Sequence, residues 1–80
     1  MFRIAISRLA DDGPRIVPEH RGTVLSVDEA VRAVLDRLPA VDPAAFTGRA
    51  VQDSVNRVND FRRDVVADGH RYRVIIAPMM

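Results

Sequence analysis

The sequence predicts one α+β domain in the order β-β-α-α-β, a three-stranded sheet with two helices packed on one face. Three observations predict it. Apolar residues alternate with other residues at Phe2, Ile4, Ile6 and again at Tyr72, Val74, Ile76, the period of a half-buried strand. Val27, Ala30, Val31, Val34, Leu35 and Leu38 recur at helical spacing between them. After a break at Pro39, Asp42-Pro43 restarts a second helical pattern, with Asp as N-cap and Pro at the first helical position.

Each element follows from local chemistry. The first strand ends before Asp11-Asp12-Gly13-Pro14, a turn cluster. Residues 15–25 read as one interrupted edge strand, because Pro18 lacks the N–H that a central ladder needs. Ser26 and Glu29 are spaced as a capping box, Ser26 for the Glu29 amide and Glu29 for the Ser26 amide. Pro39 stops the first helix near Leu38. The second helix is expected to run to Asp68, with Gly69 as its left-handed stop and Val51, Ser54, Val55, Val58, Phe61 and Val65 as its apolar stripe. At ~25 residues it would measure roughly 37 Å, longer than the strands it covers. Either Gly48 breaks it early or an overhang needs a partner. Tyr72 to Ile76 form the third strand, ended by Pro78.

Pro18 at an edge puts the first strand in the middle. Two antiparallel helices then make the first and third strands parallel, joined by a right-handed crossover. Phe2, Ile4, Ile6, Tyr72, Val74 and Ile76 face the helices. Arg3, Ala5, Ser7, Arg71, Arg73, Ile75 and Ala77 face the other way, where nothing in the sequence supplies a covering layer.

Composition narrows the function classes. All 12 basic residues are arginine and none is lysine. Every cation is therefore a planar fork suited to carboxylates, phosphates and ring faces. Arginine without lysine also fits GC-rich coding sequence, as in a high-GC bacterium or its phages. Residues 1–80 form a single domain near the lower end of independent stability. There is no cysteine to staple it, and two histidines are too few for a zinc site without several carboxylates. Self-association remains as a way to bury more surface. A net charge of +1 makes no global field for nucleic acid or membrane. With no apolar run long enough to span a bilayer and no signal-peptide pattern, a cytoplasmic protein is expected.

Catalysis finds no foothold. Ser7, Ser26 and Ser54 lack a nucleophile context, and the four glycines form no phosphate loop. No enzyme activity, cofactor, metal site or small-molecule substrate is implied. Asp11-Asp12 is explained by its turn, and a helix-turn-helix is opposed by acids spread along the second helix.

The expected interaction surface is Arg3, Ala5, Ser7, Arg71, Arg73 and Ile75 on the bare sheet face. Arg62 joins it as a cation on the apolar side of the second helix, where it either snorkels past the core or meets an acidic group of a partner chain. Arginine beside small apolar residues fits a protein interface. The reading is a small non-catalytic protein-interaction module, self-associating as a homodimer, of the kind a phage or mobile element encodes to modulate a host protein. The alternative is a nucleic-acid-binding protein using Arg3, Arg71 and Arg73, helped by Arg15, Arg21 and His70. Phe2 and Tyr72 point inward, so that reading lacks a base-stacking platform.

Overall fold

A computed structural model describes residues 1–10, 15–42, 48–56 (54–56 as backbone) and 60–79. Among them the order is β-β-α-α-β-β: β1 Phe2–Leu9, β2 Ile16–Val24, α1 Val27–Arg37, α2 Gly48–Asn56, β3 Phe61–Ala67 and β4 His70–Pro78. The sheet has four strands in the order β2-β1-β4-β3, and every neighbouring pair is antiparallel.

The three-stranded expectation is thus wrong by one strand. Residues 61–67, expected as the end of a long helix, form β3 and turn into β4 through Asp68-Gly69. Both turn residues have positive φ, 52° and 78°, the signature of a two-residue type I′ hairpin. Gly69 is left-handed as expected, but it closes a hairpin and not a helix. The added strand reverses the chain once more. The last strand therefore runs antiparallel to β1, and the expected parallel crossover does not exist. The restart at Pro43 lies outside the described residues, as does the Asp11-Asp12 turn.

Other expectations hold. β1 is interior, between β2 and the last strand. β2 is an edge strand, and its register against β1 shifts between Ile6 and Ser7, leaving Glu19 as the bulged residue next to Pro18. Ser26 is the N-cap of α1 in extended conformation, and its Oγ accepts from the Glu29 amide at 3.2 Å. The return half of the box is displaced by one residue: Leu25 N–H, not that of Ser26, donates to Glu29 Oε2 at 3.1 Å. At the other end Leu38 N–H bonds the Val34 carbonyl before Pro39 ends the helix.

Both helices lie on one face of the sheet, α1 against β1 and β2, α2 against β3 and β4. Ile4, Ile6, Val74 and Ile76 rise from the central strands to meet Val27, Ala30, Val34 and Leu38 of α1 and Val51 of α2. Phe61 and Ala67 of β3 complete this core, and Phe2 and Tyr72 pack at its margin. Each large aliphatic side chain buried here contributes roughly 1.5–3 kcal/mol. No helix among the described residues is long and apolar enough to cross a membrane.

Candidate protein-interaction face

The strand register builds the opposite sheet face row by row. Arg21, Ala5, Ile75 and Arg62 lie side by side across β2, β1, β4 and β3. Next to them runs Pro18, Ser7, Arg73 and Asp64, and beyond that Ile16, Leu9, Arg71 and Val66. On the other side lie Thr23, Arg3 and Ala77. All seven residues expected at the interaction surface (Arg3, Ala5, Ser7, Arg62, Arg71, Arg73 and Ile75) therefore share one face. Arg62 reaches it for a different reason than expected. It is an outward residue of β3 beside Ile75, not a helical residue aimed past the core.

Alternation alone could not have found Arg21, whose side depends on the bulge at Glu19. Val66 was hidden because its strand was read as helix. Val66 and Ile16 are 66% and 49% exposed at the two edges of one row. Ala77, at the far corner, is buried at 3% although it lies outside the core cluster. The floor residues Ala5, Ser7, Leu9 and Ile75 are half-buried by their neighbours.

Charge on this face is one-sided. Among the described residues, Arg3, Arg21, Arg62, Arg71 and Arg73 stand here with two carboxylates, Asp64 on β3 and Asp60 just before it. That leaves 7 of the 12 arginines and 9 of the 11 acids for the rest of the sequence. Arg73 clasps Asp64 through Nε–Oδ1 at 2.9 Å and Nη2–Oδ2 at 3.2 Å. This hydrogen bonding holds the Asp64 carboxyl below its ordinary range, opposed by desolvation and reinforced by the positive charges of Arg73, Arg71 and Arg62. The same contact raises the Arg73 guanidinium. Arg71 donates to the Ala10 carbonyl at 3.3 Å, which steadies it without neutralising it. A shallow trough of about 310 Å³ lies between Arg3, Arg21 and Asp60, with Ala5 and Ile75 lining it as well.

Comparison with protein-family models, with curated proteins and with solved structures found no match.

A smaller notch of about 170 Å³ on the helix side is lined by Ile6, Glu19, His20, Arg37, Leu38 and Tyr72. Glu19 faces Arg8 there at 3.7 Å. A loose, exposed ion pair of this kind contributes little. The notch lies against the core, with Ile6 and Leu38 in its wall.

Proposed function

We propose that this chain is a non-catalytic interaction module whose bare sheet face docks on an acidic protein surface. The observation that carries the reading is the row Arg21–Ala5–Ile75–Arg62. It has apolar floor in the middle and a guanidinium at each end. A partner would set a small apolar side chain on Ala5 and Ile75 and carboxylates on the flanking arginines. Forked arginine–carboxylate bonds fix such a partner's orientation, and the apolar centre supplies the desolvated contact. Modulation of a host protein by a phage or mobile-element product is one setting that fits this size and composition.

Affinity capture with wild type and with the variant Arg21→Glu tests it. The variant should keep its circular dichroism and lose the captured protein. Equal capture by both would reject the sheet face as the docking surface.

A nucleic-acid strand is the second reading, favoured by the five-to-two excess of arginine over carboxylate on the face among the described residues. It is opposed by ring placement: Phe2, Phe61 and Tyr72 all lie on the helix side. Filter binding at low salt decides between them, because phosphate contacts make affinity fall steeply as salt rises.

The face is poorly suited to pairing with itself. Two copies placed face to face would bring like-charged arginines together in a desolvated contact. The self-association expected of so small a core needs another surface.

A further inference from the structure

The two edges of the sheet are not alike. The β2 edge is guarded by Pro18 and by the bulge at Glu19, two devices that prevent further strand pairing. The β3 edge has neither: it contains no proline or glycine, and its pairing with β4 runs without a register shift. Its deterrents are side-chain charges alone, Arg62 and Asp64 on the bare face and Arg63 on the helix side, the last lying 5.3 Å from the Phe61 ring centroid.

The hairpin fixes which backbone groups this edge offers. In a two-residue type I′ hairpin the flanking pair, here Ala67 and His70, is the narrow hydrogen-bonded one. Ala67, Val65 and Arg63 therefore direct their N–H and C=O groups toward β4. Arg62, Asp64 and Val66 direct theirs away from the sheet.

We propose that β3 is the self-association edge, and that two copies pair β3 against β3, antiparallel, about a two-fold axis through Val65. Side-chain charge selects this register. An axis through Arg62, Arg63 or Asp64 sets that charged residue against its own copy, and an axis through Val66 sets Asp64 against Asp68. Like charges directly opposite are destabilising. The axis through Val65 pairs Val65 with Val65, Arg63 with Ala67, Asp64 with Val66 and Arg62 with Asp68. It puts opposite charges at both ends, covers the exposed Val66 and gives Arg63 an uncharged neighbour. The pairing doubles the sheet while leaving the arginine face open, so it deepens the self-association reading and leaves sheet-face docking to stand or fall separately.

The chain has no cysteine, which makes single-cysteine variants clean probes. Val65 and its copy would be a non-hydrogen-bonded pair with Cα atoms about 4.5 Å apart, inside the disulfide range of roughly 4.4–6.8 Å. Arg63 and its copy would be offset by four residues, ~13 Å along the strands. Val65→Cys should give a disulfide dimer on mild oxidation, and Arg63→Cys should not. Val66→Pro removes an outward N–H and no β3–β4 bond, so it should sediment as a monomer with wild-type circular dichroism. A wild type that stays monomeric at every concentration in sedimentation equilibrium overturns the proposal. So does cross-linking of Arg63→Cys as fast as Val65→Cys, or a Val66→Pro variant that still dimerises.

Discussion

Asp64 and Arg73 face each other across β3 and β4 and are joined by two parallel hydrogen bonds, at 2.9 and 3.2 Å. The fork lies among Arg62, Arg71 and Ile75 on the bare sheet face. It removes one cation from the charge a partner would meet and ties the last two strands together beyond their backbone ladder. Arg3, Arg21, Arg62 and Arg71, with Asp60, are left as the charged part of the surface among the described residues.

Replacing Asp64 with Asn should make stability less dependent on pH in the acid range. The folded-state pKa of Asp64 is depressed, so its contribution is present above the unfolded value of about 4 and is lost as pH falls through the lower folded value. Near neutral pH, Asp64→Asn should melt slightly below wild type, since the pair is solvent-exposed and therefore weak. The two melting curves should converge once acid has protonated Asp64 in both folded and unfolded wild type. A gap that widens toward low pH would show that the carboxylate does not act through this pair.

Gly69 should resist substitution for a backbone reason alone. Its φ is +78°, and a Cβ built there meets nothing within 4 Å. Gly69→Ala is expected to lose about 1–2 kcal/mol, the cost of a left-handed L-residue. Gly69→Asn should lose less, because Asn tolerates this region. Thermal denaturation of the two variants gives the ranking. Equal losses would mean that the turn relaxes to another type.

That turn also marks where the sequence misleads. Asp68-Gly69 is a strong hairpin signal, but Phe61 and Val65 continue the four-residue spacing of the helix that contains Val51. A strand there would show itself by alternation, and Arg63 spoils it. Arg63 occupies an inward position yet stays exposed at the sheet edge beside the Phe61 ring. The central strands were legible because helices cover them, which forces Ile4, Ile6, Val74 and Ile76 to alternate with Ala5, Ser7, Arg73 and Ile75. The bare face was legible by the same alternation. Its edge residues Arg21 and Val66 were not, since one depends on a bulge and the other on an unrecognised strand.

Ile76 should be the most sensitive position for truncation. It sits opposite Ile4 on one side and Phe61 on the other and is fully buried. Ile76→Val should cost about 0.5–1.5 kcal/mol and Ile76→Ala about 2–5 kcal/mol. A domain of this size commands roughly 4–12 kcal/mol in total. Ile76→Ala is therefore expected to show a large fall in urea midpoint and a visible unfolded population in heteronuclear NMR. Ile75→Ala, one residue away on the bare face, should change the midpoint little. Similar losses at both positions would mean that Ile75 is also covered within one copy.

The start of α1 offers a test of how two capping bonds divide their work. Ser26 Oγ serves the Glu29 amide, while the Glu29 carboxylate reaches past Ser26 to the Leu25 amide. Ser26→Ala should cost about 1 kcal/mol, and Ser26→Gly only a few tenths. Glycine keeps easy access to the extended backbone at this cap, where φ is −143° and ψ is 163°. Glu29→Ala removes the acceptor for Leu25 and a negative charge from the helix's positive end. The two bonds use different amides, but the Ser26 bond holds the first turn in the position from which Glu29 can reach Leu25. A double-mutant cycle on Ser26→Ala and Glu29→Ala should thus give a combined loss smaller than the sum of the single losses. Strict additivity would mean that Glu29 acts only through its charge.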